Sequence, residues 1–441
     1  MTTLSIPIDQ AIVDAIVAEH GIPVGQASIR ELNRIVTAIE ERTGTDFIRM
    51  EFGIPGLQPD RIALKAEARA LTELGLASMY SPFDGLPVLK EAAKRFTHAF
   101  LGLDLPVKCF IPTHGAMHGG FIALGIAGYR FKDRDTILFL DPGFPVNKLQ
   151  CKVWGLKSEA VDFHRLRGDR LIAALEEKFR TGRIGGFIYS SPNNPTWVSF
   201  KDSEFRGLGQ LCTKYGVIAI EDLSYFGMDF REEYGIPYRP PYQPSIANHT
   251  DQYIVLLSSS KIFSYAGQRV AVAVISPQLF EARSEHLRAR FGTDRVGHAF
   301  VHGGVYPTTA GVTASVQHGL AALFEAAAGG EIVFTRPLKE YERRAHEMKR
   351  AFLDCGFSLV YDNDLGEPLG DGFYFTVSYP GFGSEGLLAE LIRYGISAIG
   401  LNSTGSSQEG IRACVSLTKI ERVPELRRRL EAFRRDHPRP A

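Results

Sequence analysis

The sequence predicts an α/β fold in which a mostly parallel central sheet carries helices on both faces, with a smaller α+β domain beside it. The first observation is that short apolar runs rich in β-branched residues alternate with amphipathic helical segments, as in parallel sheets covered on both sides. The second is size, because 441 residues with 44% hydrophobic composition can bury a large core and more than one domain.

The large domain is predicted from its alternating helices and strands. Its helical segments are GLPVLKEAAKRFTHAFLG, GAMHGGFIALGIAG, LIAALEEKFRTG and SEFRGLGQLCTKYG. Its strands are the short apolar runs DTILFLD, IGGFIYSS, VIAIED, QYIVLLSSS and RVAVAVIS. Ligands of such sheets bind at the carboxyl ends of the strands, so the polar residues that follow each strand are the candidates for a site.

The rest of the chain predicts the smaller domain. Helical stretches after about residue 306 precede GDGFYFTVSY, a helix from about Ser384, and GIRACVSL, an order that suits an α+β domain. We expect residues 76–305 to form the large domain and residues 306–441 the small one. Residues 1–75 are expected to be an N-terminal segment that belongs to the small domain.

Charge and cysteine usage exclude several classes of protein. Lys+Arg and Asp+Glu both number 50, so no net field favours nucleic acid or an anionic membrane. The five cysteines are scattered and odd in number, which argues against a disulfide framework and fits a reducing cytosol. No apolar run approaches 18 residues, and the N-terminus lacks the pattern of a signal peptide. We therefore expect a cytoplasmic protein that binds neither nucleic acid nor membrane.

The segment SSSKIFSYAGQR holds the first candidate site. Lys261 follows an apolar strand, with Ser258 and Ser260 before it and Arg269 eight residues after it. A lysine at a strand end is usually just a solvated side chain. Here the serines and the arginine can together hydrogen-bond and neutralise a phosphate dianion, which makes Lys261 a candidate nucleophile beside a phosphate.

Two further segments place polar residues after buried strands. In IAIEDLSYFG, Asp222 ends a strand and Tyr225 follows it; in IYSSPNNPTW, Asn194 precedes a proline. A buried carboxylate needs a cationic or hydrogen-bonding partner, such as a protonated ring nitrogen of a ligand, with the phenol and the amide directed at a ring oxygen. The alternatives are an Asp that caps a turn, a packed Tyr and ordinary loop punctuation.

The segment PTHGAMHGG predicts a helix start that can bind an anion. Gly115, Ala116 and Met117 form the first helical turn, whose free N–H groups and dipole suit a phosphate. The alternative is a plain helix start in which the glycines allow close packing. His114 and His118 flank the turn, but they lack a third ligand or a pattern such as H-E-x-x-H, so no metal site is predicted.

Taken together and in this order, the segments resemble the class I/II aminotransferases, pyridoxal 5'-phosphate (PLP) enzymes with the aspartate-aminotransferase fold, also called fold type I. The resemblance spans roughly residues 52–416 and is far more specific than any one motif. It implies that Lys261, in S-x-S-K, holds the cofactor as a Schiff base and that Arg269 contacts the phosphate. It also implies that Asp222 and Tyr225 form the D-x-x-Y motif and Asn194 the N-P-[TS] motif, with Asp222 protonating the pyridine nitrogen.

The resemblance implies four further roles. Phe144, in LDPGFPVNK, would stack on the pyridine ring, and Tyr80 would reach the phosphate of a partner subunit, which predicts a homodimer. Arg412, in GIRACVS, would grip the substrate α-carboxylate. Gly56 would belong to the glycine segment that closes over the substrate, with Gly53 as the alternative because the segment is offset from the family pattern.

The chain departs from the family pattern at three places. Trp197 stands where the family usually has glycine after N-P-[TS], Ala271 replaces the glycine of R-x-G, and residues 113–117 differ from the commoner S-G-T or G-A-T/Q forms. These departures leave the cofactor site intact and the substrate open. Trp197, His114, His118 and Tyr265 are candidates for contacts to the substrate side chain that can equally be packing residues.

The predicted function is a PLP-dependent aminotransferase of amino acid metabolism, which moves an amino group between an L-amino acid and a 2-oxo acid in a ping-pong cycle. The same residues around the cofactor also suit a β-lyase, decarboxylase, racemase or oxidase. A third alternative, a PLP-binding regulator without turnover, usually carries a DNA-binding module, and the sequence shows no basic helix-turn-helix extension.

Overall fold

The structure is a computed structural model that describes residues 6–438. The ends of the predicted N-terminal segment and C-terminal domain, residues 1–5 and 439–441, lie outside the described residues. The helices are, in chain order, α1 Gln10–His20, α2 Ile29–Thr43, α3 Arg61–Thr72, α4 Pro87–Leu101, α5 Gly115–Tyr129, α6 Val146–Trp154, α7 Asp169–Arg180, α8 Asp202–Tyr215, α9 Pro277–Glu281, α10 Arg288–Phe291, α11 Val296–Phe300, α12 Tyr306–Thr309, α13 Ala314–Ala328, α14 Thr335–Asp354, α15 Ser384–Arg393 and α16 Val423–Asp436.

The strands form two main sheets. They are β1 Ile48–Arg49, β2 Phe110–Thr113, β3 Thr136–Asp141, β4 Lys157–Asp162, β5 Ile184–Ser190, β6 Ile218–Asp222, β7 Tyr253–Ser258, β8 Ala271–Ile275, β9 Ser358–Leu359, β10 Asn363–Asp364, β11 Glu367–Pro368, β12 Tyr374–Ser378, β13 Ile396–Ser397, β14 Ile399–Gly400 and β15 Ile411–Cys414. Every helix and strand that the sequence predicts between residues 85 and 276 begins and ends within two residues of the observed element.

The larger sheet has the strand order β2-β8-β7-β6-β5-β3-β4. Neighbours from β7 to β4 are parallel, whereas β8 runs antiparallel to both β7 and β2. Alternate side chains of a strand face opposite sides, so that in β7 Ile254 and Leu256 join the core that contains α5, while Val255 and Leu257 join the core of α4 and α8. The prediction of a mostly parallel α/β sheet covered on both faces is therefore confirmed.

The smaller sheet lies late in the chain and is antiparallel, with the order β14-β15-β12-β9. Helices α14 and α15 contact its strands, and α16 packs against α14. The N-terminal region reaches this part of the molecule, because β1 pairs with β13 and the Ile8 N–H donates to the Arg393 carbonyl. Helix α13 packs against α3 and α4. The exact domain boundaries stay a prediction.

The topology determines where a ligand can bind. Parallel strands β3, β5, β6 and β7 end at the same edge of the sheet, at Asp141, Ser190, Asp222 and Ser258. Strand β2 delivers the chain to the same edge, where α5 starts. Within residues 6–438, no helix is both long and apolar enough to cross a bilayer.

Candidate active site

One cavity lies where these strand ends meet the start of α5. It is lined by most of the residues that the sequence predicts to bind a cofactor: Ala116, Met117, Phe144, Asn194, Asp222, Tyr225, Ser258, Ser260, Lys261 and Arg269. These residues are scattered over more than 150 positions of the chain. The fold thus brings together side chains that the sequence links only by pattern.

Asp222 presents a buried carboxylate to this cavity. Its Oδ1 accepts hydrogen bonds from the N–H of Ser224 at 3.0 Å and from the Ser224 hydroxyl at 2.6 Å. Burial raises the pKa of Asp222, while the Ser224 hydroxyl and the charge of Lys261 act in the opposite direction. Among residues 6–438, Oδ2 has no hydrogen-bond partner. That oxygen is therefore free to pair with a cationic group of a ligand.

Lys261 lies just beyond the end of β7, and its amine reaches the same cavity. Its Nζ is 5.9 Å from the centroid of the Tyr225 ring, and it has no hydrogen-bond or ion-pair partner in the described part of the chain. Burial lowers the pKa of Lys261, the charge of Asp222 acts in the opposite direction, and Arg269 adds to the lowering. An unpartnered amine whose charged form is disfavoured is suited to nucleophilic attack.

The opposite part of the cavity is suited to an anion. Helix α5 begins here without a side-chain cap. Residues of its first turn line the cavity together with Ser258, Ser260 and Arg269, which add hydroxyl and guanidinium donors. Gly115 has φ +74°, and a Cβ on it would lie 2.7 Å from Nη2 of Arg269. Only glycine allows this close approach, because any other residue would be strained at this positive φ and its Cβ would clash with the Arg269 guanidinium. Gly115 thus stands next to the cavity and makes room for Arg269.

Arg412 comes from β15 of the smaller sheet and reaches the edge of the cavity. Its Nη1 donates to Oδ1 of Asn194 at 3.3 Å, and its Nη2 donates to the Glu51 carbonyl. The side chain is buried, and Nε has no partner among the described residues. A buried guanidinium with an unsatisfied N–H is suited to a carboxylate; the role of Arg412 in substrate binding stays a prediction.

Gly56 and Tyr80 lie outside the cavity. The Gly56 N–H donates to the Tyr341 hydroxyl at 3.0 Å, and a Cβ on Gly56 would lie 1.9 Å from the Ser416 carbonyl oxygen. Tyr80 is 89% exposed. Its predicted role, a contact to the phosphate in a partner subunit, requires a second chain and stays a prediction, as does the closing role of Gly56.

The other candidates for substrate contacts are engaged elsewhere. His114 Nε2 is 3.0 Å from the Gly311 carbonyl, His118 Nε2 is 2.7 Å from the Thr308 hydroxyl, and the Tyr265 hydroxyl donates to Glu67. Burial, with a smaller contribution from His114, lowers the pKa of His118 to about 4. These bonds fit packing roles. Within residues 6–438, no group of three or more His, Cys, Asp or Glu side chains could hold a metal ion.

Residues 47–302, more than half of the chain, match the family model for aminotransferases of class I and II. The chain belongs to this family. It is 24% identical over 245 residues to the asparagine–oxo-acid transaminase of Streptococcus mutans (55% of this chain, 60% of the relative). It is also 24% identical over 270 residues to an aspartate aminotransferase of Pyrococcus horikoshii (60% and 63%). The chain thus spans about 60% of the length of the curated relatives it matches.

Solved structures of aminotransferases share the fold over nearly the whole chain. An aspartate aminotransferase double mutant of Thermus thermophilus superposes with a TM-score of 0.72 at 19% identity, covering 93% of this chain and 96% of that one. The aspartate aminotransferase of Thermotoga maritima superposes with a TM-score of 0.72 at 18% identity, covering 95% and 98%. At this level of identity the likeness shows the fold alone.

Class I/II aminotransferases of this fold use pyridoxal phosphate, and the residues of the cavity fit it. Oδ2 of Asp222 is free for a protonated ring nitrogen, Nζ of Lys261 is free for an aldehyde, and Phe144 offers an aromatic face. The hydroxyl, N–H and guanidinium donors beside Gly115 are of the kinds that bind a phosphate dianion. The chemistry of this donor set supports the cofactor that the sequence predicts.

The cavity also contains residues that the motifs did not single out, namely Asn147, Ile188, Ser190, Ser224 and Leu256. Ser190 and Ser224 lie at or just after strand ends, so the rule that found Asp222 would have found them too. Tyr374 was also missed. It contacts Tyr225 and Arg412 from the smaller sheet, and no motif indicates that contact.

We expect the amine of Lys261 to react with pyridoxal phosphate faster as the pH rises. The pH at which the rate reaches half of its maximum should lie below the ordinary lysine pKa of about 10.4. Only the neutral amine attacks an aldehyde, and burial lowers the pKa of Lys261, so the neutral form appears at lower pH than in a solvated lysine. The rate of chromophore formation in cofactor-free protein, followed from neutral to alkaline pH, measures this midpoint. A midpoint at or above the ordinary value would contradict the expectation.

Proposed function

We propose that the protein is a PLP-dependent aminotransferase that transfers an amino group between an L-amino acid and a 2-oxo acid, with Lys261 holding the cofactor. Family membership supports the class of reaction. The observation that carries the proposal is the cavity itself, where the unpartnered amine of Lys261 lies with the free oxygen of Asp222 and an anion-binding helix start.

The roles of the residues follow from the chemistry of the reaction. When bound, the cofactor supplies an electron sink for the electrons released from the Cα–H bond. Asp222 would hold the ring nitrogen protonated through a buried ion pair. Lys261 would take the proton from Cα and deliver it to the carbon of the cofactor's aldehyde group, serving as general base and then general acid. Asn194 and Tyr225 would donate hydrogen bonds to the ring oxygen.

Arg412 would bind the α-carboxylate and fix the direction of the Cα–H bond. We expect Arg412→Lys to raise KM for both the amino acid and the 2-oxo acid by about 10- to 100-fold, because lysine cannot form a two-point contact to a carboxylate. Steady-state kinetics at varied amino acid concentration measure the change. The exposed Arg206→Lys serves as control, and an unchanged KM in Arg412→Lys would remove Arg412 from the substrate site.

A screen of amino donors and 2-oxo acids tests the proposed reaction. Aspartate, asparagine, kynurenine and LL-diaminopimelate belong in the panel, because relatives carry these names. An amino donor alone should convert the bound cofactor to its amine form, visible in absorbance, and a 2-oxo acid should restore it. Steady release of ammonia, CO₂ or H₂O₂ without an acceptor would instead favour the lyase, decarboxylase or oxidase alternatives.

We also propose that the protein acts as a homodimer in the cytoplasm. Met79 and Tyr80 are exposed neighbours in sequence, and Tyr306, which is also exposed, contacts Phe83; exposed apolar side chains of this kind are ones that a second chain can cover. All five cysteines are free and buried, which fits a reducing compartment. Sedimentation analysis tests the dimer, and a fully active monomer at nanomolar dilution would contradict it.

A further inference from the structure

Tyr374, at the start of β12, lies between two groups with different tasks in the proposed reaction. One is the phenol of Tyr225, directed at the cofactor, and the other is the guanidinium of Arg412, directed at the substrate. We propose that Tyr374 is a positioning residue that holds both groups in place, the first through its hydroxyl and the second through its ring. The proposal rests on the proposed function and deepens it.

The hydroxyl contact is short and buried. The Tyr374 hydroxyl oxygen lies 2.8 Å from that of Tyr225, and the two rings meet nearly perpendicular at 5.5 Å. Burial raises the pKa of both phenols, so each keeps its proton at neutral pH. The Tyr374 oxygen has no other hydrogen-bond partner among residues 6–438, whereas Tyr225 also borders the cavity. Either hydroxyl can donate in this pair. In the proposed arrangement Tyr374 donates to Tyr225, which leaves the Tyr225 proton for the cofactor, and hydrogen bonds arranged in series strengthen one another.

The ring contact follows from the strand register. Tyr374 lies opposite Cys414 and Thr376 lies opposite Arg412, so Tyr374 and Arg412 are diagonal neighbours on one face of the sheet. The Arg412 Cζ atom is 4.6 Å from the centroid of the Tyr374 ring, within the range of a cation–π interaction. This contact orients a guanidinium whose other partners in the described part of the chain are the Asn194 side chain and the Glu51 carbonyl.

Two neighbours restrict Tyr374 to this position. A Cβ on Gly53 would lie 2.2 Å from the Tyr374 hydroxyl, so the absence of a side chain there makes room for that hydroxyl. Trp197, buried at φ +67°, packs edge-on against Tyr225 at 5.4 Å and against Tyr374 at 6.1 Å. The indole thus packs against both tyrosine rings. This gives Trp197 a packing role behind the site, since it does not line the cavity.

The proposal predicts different results for Tyr374→Phe and Tyr374→Leu. Phenylalanine keeps the ring and removes the hydroxyl, which weakens the hydrogen bond from Tyr225 to the ring oxygen. In protein loaded with pyridoxal phosphate and free of substrate, the pH midpoint between the two visible absorption bands should rise by about half a unit to one unit. The KM for the amino acid should stay within about twofold. Leucine should shift the midpoint similarly and also weaken binding of a carboxylate inhibitor about 3- to 30-fold.

A double-mutant cycle with Tyr225→Phe separates positioning from general damage. If Tyr374 acts through the Tyr225 phenol, Tyr374→Phe adds no further midpoint shift in the Tyr225→Phe background. An unchanged midpoint in Tyr374→Phe, or a fully additive shift in the double variant, would overturn the proposal. Thermal melting checks that each variant folds. If Tyr374→Phe does not fold, Gly53→Ala, which displaces the hydroxyl, must give the same rise, and its absence overturns the proposal equally.

Failure of this inference can be told from failure of the proposed function. Wild-type protein that develops no visible absorption bands with pyridoxal phosphate would contradict the proposed function itself. Wild-type protein with normal bands, and variants that do not shift the midpoint, would contradict only the role of Tyr374.

Discussion

Lys261→Ala is expected to lose transamination by about 10⁴-fold or more, the largest effect of any single substitution. The variant loses the covalent attachment of the cofactor and also the base that moves the Cα proton. Both tasks fall on one amine that has no other partner in the described residues. Single-turnover conversion of the bound cofactor by an amino donor measures the loss directly, because it needs no assumption about the second substrate.

The matched control for Lys261 is Lys214→Ala. Lys214 is 61% exposed and pairs with Glu176 on the surface, so this variant should keep wild-type activity. The Lys261→Ala protein should still bind pyridoxal phosphate weakly through the anion-binding start of α5, without the visible band of the lysine adduct. Near-normal activity in Lys261→Ala would show that another amine carries the reaction.

Asp222→Asn is expected to slow the reaction on the order of 10³-fold. Asparagine has the same shape and can keep the contacts with Ser224, but it cannot stabilise a positive charge on the ring nitrogen. The electron sink is then weaker at the step that breaks the Cα–H bond. The rate of that step, followed with Cα-deuterated donor, should fall and should show a larger isotope effect.

Glu221→Gln supplies a matched control one position away. Glu221 is fully buried on the other face of β6 and does not line the cavity, and burial raises its pKa to about 8. It is therefore mostly protonated at neutral pH, where glutamine is a close mimic. We expect little change in activity for this variant. Equal losses in Asp222→Asn and Glu221→Gln would indicate damage to the sheet and not a role in chemistry.

The sequence predicts which residues come together at the strand ends, because their common location depends on local order. Asp222 ends a buried strand, Lys261 and Asn194 follow buried strands closely, and parallel strands place their carboxyl ends at one edge. Strand patterning and the motifs after each strand therefore determine their common location. The same holds for the first turn of α5.

The substrate side depends on long-range packing and could not be derived in the same way. The contact of Arg412 with Asn194 and that of Tyr374 with Tyr225 join the two sheets across more than 140 residues of chain. Neither the alternation of apolar and polar residues nor the spacing of the motifs determines the angle at which the two sheets meet. Trp197 illustrates the limit: the sequence shows that it replaces a glycine, but only the structure shows that its indole packs behind Tyr225 and not in the cavity.

Reduction with borohydride tests the central claim most directly. The protein is incubated with pyridoxal phosphate, reduced, digested and mapped by mass spectrometry. A single phosphopyridoxyl group on Lys261, with the yellow absorbance lost on reduction, is the predicted result. Labelling of a different lysine, or protein that stays colourless with the cofactor present, would contradict the assignment of this site.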